Sequence, residues 1–436
     1  MVSLNKNMKN FSYMFIVQIA NYLFPLITLP IVSRIFGPEK IGLIAYITAI
    51  VGYFVLLVDY SFSFSGVRRL SREHTKRDEI FNTILTVRFF LFLLSGIVFV
   101  FCVFFLPDLY NNFYLSLVIF LTCLVPLFSN IWFLQAQNNF KVIAIFSFIA
   151  KLFSTILILL LVRNINDILI YTVILSLSSV IISVATFIYI VNKYKINVRI
   201  QSGRNCIQYL KDDKYLFLST VVTNLYTTTG VVVLGVLASK SDVGIYSSAQ
   251  RLIDLLKSLI MMPIYQIIFP LLSKKFVSNL EDGLNSVRIF LPVFTLMVIV
   301  VLLGILLFGK IIILLLFGSA FSDSYLILVI LGLGLAAVFY GMLIGGQIML
   351  NLGMDREFVR IQVIVSVLSL FLNIIILPYG GGVTTAIIWS LSEVIITLYQ
   401  ILVLKSKGIK VFSMNMLSLN SIKLSLKSIM RNQDEF

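Results

Sequence analysis

Apolar runs of about 20 residues recur along this whole chain, separated by short polar segments. A run of that length is what an α-helix needs to cross the roughly 30 Å hydrocarbon core of a bilayer. Inside lipid, a helix also satisfies its own backbone polar groups, which an irregular segment cannot do. Of 436 residues, 59% are hydrophobic and only 12% charged, too few to clothe a soluble core of this size. Twelve spans are expected, at about 11–35, 41–64, 81–106, 113–134, 142–162, 168–191, 215–238, 243–272, 289–309, 325–350, 361–377 and 383–404. The first is too long for a cleaved signal segment and reads as an uncleaved span. The fold class is therefore an all-α polytopic membrane protein with about 12 transmembrane helices.

Orientation follows from lysine and arginine. With the N-terminus in the cytoplasm, the inward-facing segments hold 25 of the 34 basic residues, and the outward loops hold only Lys40, Arg163 and Lys240. This bias puts both termini in the cytoplasm. It also accounts for the net charge of +15 without nucleic acid: the cations are loop anchors facing anionic lipid heads.

A basic stretch, 192–214, separates six spans from six. FGPEKIGLIAY (36–46) is echoed by ASKSDVGIYSS (238–248), with Gly42 and Gly244 in register. The expected organisation is a six-helix bundle over 1–191, a cytoplasmic linker over 192–214, a second six-helix bundle over 215–404 and a basic cytoplasmic tail over 405–436. Two such halves around a central cavity form a transporter architecture.

No enzyme declares itself. The single histidine, His74, sits among loop charges, Cys102, Cys123 and Cys206 have no metal or disulfide spacing, and no phosphate-cradling GxxxxGK[ST] occurs. The outward loops are too short for an extracytoplasmic catalytic domain, so no catalytic residue, metal or cofactor is expected. Buried charge favours transport over a purely structural role.

NYLFPLITLPIVSRIFGPEKIG (21–42) resembles the opening of the Wzx-type flippases, a polysaccharide transporter family of the multidrug/oligosaccharidyl-lipid/polysaccharide exporter superfamily. DYSFSFSGVRRLS (59–71) is similar to that family's aspartate-aromatic-glycine-Phe stretch, with Ser61 in the glycine place and Arg68 in the arginine place. WFLQAQNNFK (132–141) resembles its Trp-Phe-x-Gln-Gly loop, with Ala136 for the glycine and Asn138 where an acid is frequent. AQRLIDLL and MMPIYQIIFPLLSK (within 249–274) and GGGVTTAIIWSLSE (380–393) follow in order. The resemblance implies two bundles rocking around a central cavity. It also implies a substrate, an oligosaccharide repeat unit on undecaprenyl diphosphate, moved from the cytoplasmic to the periplasmic leaflet for O-antigen or capsule-like polysaccharide. The implied partners are that lipid-linked oligosaccharide, membrane lipids, a polysaccharide polymerase and a chain-length regulator.

Ionisable groups within spans are the candidate site, because each costs about 2.5–3.5 kcal/mol at the bilayer centre. Arg251, Asp254 and Lys257 recur every three residues and share one helical face, where Asp254 can reach either cation. They read either as a self-contained charge ladder or as a cation-rich wall meeting a diphosphate. Arg251 stands nineteen residues before Pro270, a spacing that resembles an arginine of the lipid II flippases. Lys151 lies mid-span, too deep to snorkel. Arg34 is an interfacial anchor or part of the outer cavity mouth, and Arg68 and Arg69 collect the head group at the cytoplasmic mouth. Arg88 and Lys310 lie near span ends and are expected to snorkel. Asp59 is expected to pair with the adjacent basic loop. Glu393, deep in the last span, is the candidate for proton or sodium gradient coupling, with Asp59 and Asp254 as further ion-coupling groups or charge partners. Tyr22 and Tyr246 stand open as sugar-stacking residues.

Two other readings remain open. A drug or metabolite antiporter of the same superfamily would favour an acidic cavity, whereas cations within the spans outnumber acids six to three. A membrane glycan polymerase would need a large periplasmic loop.

Overall fold

A computed structural model of the protein describes residues 2–264, 269–409 and 411. Among the described residues every regular element is helical, and the chain divides into two compact units, Met1–Val221 and Val222–Phe436. Among the described residues nine helices are long and apolar enough to span a membrane, or ten if the bent pair Gly203–Leu225 and Thr229–Leu237 counts as one span. One of the nine holds two limbs, and one further helix is too charged to qualify. With these, each of the twelve apolar runs falls on helix, except that 265–268 lie outside the described residues.

In the first unit, α1 (Val2–Asp59) is broken at Gly37, whose φ of 65° and ψ of 178° are open essentially to glycine alone. Pro38 follows and has no amide hydrogen to close the next helical turn. A Cβ on Gly37 would meet nothing within 4 Å, so the backbone rather than space demands glycine. The second limb ends at Asp59, and Tyr60 and Ser61 turn the chain in left-handed conformations, φ 45° and 60°, into α2 (Phe62–Arg72). Ser61 thus occupies a backbone position that suits the glycine it replaces in the family pattern. Ala136 is the last residue of a regular helix; the left-handed residue of that loop is Asn138, φ 54°.

Next come α3 (Arg77–Phe105), α4 (Pro107–Asn111), α5 (Phe113–Phe120), α6 (Leu124–Phe128) and α7 (Ile131–Ala136). The fourth apolar run is therefore not one continuous helix. A tight turn at Leu121–Cys123 precedes Pro126, and the chain breaks again at Ser129 and Asn130. The break lets α7 lie against α2: a Cβ on Gly66 would stand 2.7 Å from the Trp132 ring. Trp132 is buried with Phe62, Leu70, Phe81 and Phe133 in a core at the end that carries the basic loops. A second core, with Val32, Phe36, Ile158 and Tyr171, lies between α1, α8 (Phe140–Leu161) and α9 (Ile168–Tyr194).

The expected linker is neither loose nor uniform. After α9 an extended strap lies along α3, where the Asn82 side chain donates to the Asn197 carbonyl and accepts from the Arg199 amide, at 2.8 and 3.1 Å. The Gln201 amide donates to Thr86 Oγ1 at 3.1 Å. Helix α10 (Gly203–Thr227) then begins inside the expected linker, and the boundary between the units falls within this helix, not in 192–214.

The second unit holds α11 (Thr229–Leu237), α12 (Lys240–Pro263), α13 (Phe269–Ser278), α14 (Leu280–Leu316), α15 (Ser324–Gly341), α16 (Asp355–Ile376) and α17 (Gly381–Ser406). A reciprocal Ser239–Asp242 box caps α12, satisfying amides that the first turn leaves open. Helix α15 runs on into a wider π turn, Met342–Met349. Close packing of α15 on α17 uses small residues, as lipid-embedded helices do. Cβ atoms on Gly334 and Gly341 would come within 2.6 and 2.8 Å of Ser390 and Thr397 side-chain oxygens. Those hydroxyls donate to the Ile330 and Ala337 carbonyls, both at 2.8 Å. The basic tail expected over 405–436 lies, from residue 412 on, outside the described residues.

Candidate functional site

Helix α12 carries its charges in a sequence that would otherwise be an ordinary span. Arg251 and Asp254 are exposed and Lys257 is half-buried. Asp254 was expected to pair with its neighbours, yet among the described residues it makes no salt bridge within 4 Å with either cation, although both act on it electrostatically. Three-residue spacing places side chains on one face without making them touch.

The unforeseen neighbour is Glu393. It sits on α17, which contacts α12, and its side chain belongs to a residue only 7% exposed. The charged group that acts on it is the Lys257 ammonium. Lys257 therefore acts electrostatically on two carboxylates, Asp254 on its own helix and Glu393 on another. Tyr246, one of the two aromatic residues open to sugar stacking, is 1% exposed and is part of the core. Tyr22 is half-buried.

In the first unit Lys151 sits at the middle of α8, half-buried, and among the described residues no charged neighbour acts on its ammonium. Arg34 is exposed on α1, three residues before the Gly37 break. Lys310 is exposed near the end of α14, as snorkelling requires.

Two expectations are overturned. Arg88 does not snorkel: its side chain is 0% exposed, and its Nη2 donates to Asp59 Oδ1 at 2.5 Å. Asp59 correspondingly pairs with α3 rather than with the basic loop next to it, and Ser63 Oγ donates to the same oxygen at 2.6 Å. Nearness to a span end says little about a side chain that a neighbouring helix can reach first.

Arg68 and Arg69 are also engaged. Arg69 reaches Asp212 at 3.4 Å and Asp213 at 3.2 Å, and its guanidinium lies 4.0 Å from the centre of the Tyr209 ring. Arg68 reaches Asp213 at 3.7 Å while its side chain stays 57% exposed. The two aspartates went unnoticed in the sequence, where KDDK (211–214) counted only as basic linker. Adjacent acids between lysines were the available signal. Among the described residues no group of three or more His, Cys, Asp and Glu side chains is arranged to hold a metal ion.

Fold and charged helices together define a multi-pass, all-α membrane protein that keeps ionisable groups inside its spans. The chain belongs to the polysaccharide biosynthesis protein family, whose sequence profile matches residues 7–276. This upholds the resemblance carried by 21–42, 59–71 and 132–141. Over 368 residues the chain is 24% identical to the "Putative O-antigen transporter" of Escherichia coli (strain K12), covering 84% of this chain and 88% of that one. It is 26% identical over 404 residues to the protein of the same name from Shigella dysenteriae, covering 91% of this chain and 100% of that one. Among solved structures, the lipid II flippase MurJ in its inward closed conformation matches with a TM-score of 0.72, over 98% of this chain and 93% of that chain. At 16% identity that likeness is one of fold.

Proposed function

We propose that this protein is a flippase. It moves an oligosaccharide repeat unit, linked to undecaprenyl diphosphate, from the cytoplasmic to the periplasmic leaflet by alternating access, for synthesis of a surface polysaccharide. The carrying observation is the α12 face, where Arg251 and Lys257 hold positive charge at membrane depth without a salt-bridge partner among the described residues. Charge kept in a span at such cost has a use, and a diphosphate is the anion this family's pathway offers. Arginine presents a planar fork to phosphate oxygens, and lysine a mobile point charge. In the first unit, Lys151 in the middle of α8 is a separate candidate cation for the same anion.

In this reading the basic loops and both termini face the cytoplasm of an inner membrane, and the protein moves its substrate without converting it. Glu393 supplies the coupling group: as Lys257 turns from Glu393 to the diphosphate, the carboxylate loses its counter-charge and takes up a proton or sodium ion. A polymerase and a chain-length regulator would receive the product. Export of surface polysaccharide in a deletion strain tests the reading. Arg251→Ala and Lys257→Ala at wild-type protein levels are expected to lower export at least about tenfold each, in line with loss of charge-assisted contacts. Wild-type export from both would overturn the mechanism. Accumulation of undecaprenyl-linked sugar on the inner leaflet of the strain would separate failed flipping from failed synthesis.

A further inference from the structure

Between Tyr209 and Thr220, α10 is fastened to the corner between α1 and α2 at four places. Tyr60 stacks on Phe217 with ring centres 4.3 Å apart and donates its hydroxyl to the Leu210 carbonyl at 3.2 Å. The Ser61 and Thr220 hydroxyls stand 2.9 Å apart, and Arg69 lies over Tyr209. The fourth fastening is ionic, between Arg68 and Arg69 on α2 and Asp212 and Asp213 on α10.

That ionic contact is poorly satisfied at its centre. The Asp213 side chain is 0% exposed, yet neither carboxylate oxygen accepts a hydrogen bond from a donor among the described residues. Among the described residues its salt-bridge partners are the guanidinium nitrogens of Arg69 at 3.2 Å and Arg68 at 3.7 Å. The Arg69 Nε is likewise buried without a partner. A buried carboxylate held by charge alone stays put only while its cations do, because removing one partner leaves an uncompensated ion in a low dielectric. Arg68, half in water, can be reached by an incoming anion.

We propose that these four residues form a latch released by a diphosphate. The inference rests on the flippase reading only for the source of that anion. A diphosphate carries more charge than one aspartate and offers several oxygens to each guanidinium fork, so it competes well for both arginines. Once they turn to it, Asp213 has no counter-charge in its buried place. The segment of α10 up to Thr220 must then lift until the carboxylate reaches water. Since α10 is the helix in which the chain passes from one unit to the other, arrival of the head group is felt where the units are joined.

Hydrogen–deuterium exchange of amides 203–220, in the full-length protein held in neutral-lipid nanodiscs, tests the latch. Farnesyl diphosphate is expected to speed their exchange by about tenfold or more, as release of a local unit does. The same rise with inorganic pyrophosphate would support the latch and assign the effect to the phosphates alone. An equal rise with sodium chloride at matched ionic strength, or with phosphatidylglycerol in the discs, would overturn it as mere screening. The pair Asp212→Asn and Asp213→Asn should exchange fast without any anion. Arg68→Lys with Arg69→Lys should stay protected but need about ten times more farnesyl diphosphate, since lysine keeps the charge and loses the fork. No change in the wild-type protein would sink the latch even if the variants fail to fold. The flippase reading would survive, because its test is polysaccharide export in the Arg251 and Lys257 variants.

Discussion

Arg88 and Asp59 meet inside the first unit although 29 residues and a helical corner separate them, and the contact is a direct guanidinium–carboxylate bond of 2.5 Å. The arginine is wholly buried and the aspartate is not, so the pair is asymmetric. Losing Asp59 strands a buried cation. Losing Arg88 leaves a carboxylate that water can still reach.

The asymmetry gives an ordered set of stabilities. Asp59→Asn should destabilise the protein by about 3–5 kcal/mol, the usual effect of orphaning a buried ion. Arg88→Met should do less harm. The double replacement, Asp59→Leu with Arg88→Met, should recover most of the loss, because an apolar pair replaces a buried ionic one at little net cost. Thermal unfolding in one detergent, monitored by size-exclusion fluorescence, ranks the three.

Gly66 should tolerate nothing larger. A methyl there enters the Trp132 ring, and overpacking of a rigid aromatic costs about 1–3 kcal/mol. Gly66→Ala combined with Trp132→Phe should be less damaged than the sum of the two single variants. Additive losses would mean that α2 and α7 simply move apart.

Ser61→Gly should stabilise. An L-residue in the left-handed region is disfavoured by roughly 1–2 kcal/mol, and glycine escapes this. Loss of the hydroxyl contact to Thr220 offsets about 0.5–1.5 kcal/mol of the gain, leaving a small rise in melting temperature. Adding Thr220→Val to Ser61→Gly then costs nothing further at that contact.

Lys257 and Glu393 should separate stability from transport. Lys257→Ala leaves Glu393 without the cation that acts on it and should lower the melting temperature. Glu393→Gln in the same protein should restore the melting temperature but not polysaccharide export. If export returns along with stability, Lys257 serves only the helix packing.

Much of this architecture was legible because lipid imposes a length on apolar segments, and among the described residues the twelve runs fall on helix, the fourth in broken pieces. The side-chain partnerships were not. Depth along a span suggested that Arg88 would reach for the interface, but that treats α3 as if it stood alone. The reach of α1 into the same space decides the matter. The three-residue spacing of the α12 charges was visible in the sequence, while Glu393 could be joined to them only by the packing of α17. Ser61 is an intermediate case: the sequence marked a departure from the family glycine, and only the backbone angles explain why glycine belongs there.

The strap along α3 bears on how such a protein could have been assembled from two ancestral pieces, or could be divided again. The stretch with the most linker-like composition is hydrogen-bonded to Asn82 and Thr86, and the helix after it is fastened to α2. A gene cut ahead of the strap would hand the downstream fragment a tether whose docking place lies on the upstream fragment. Two separately translated polypeptides would then carry the means of finding each other.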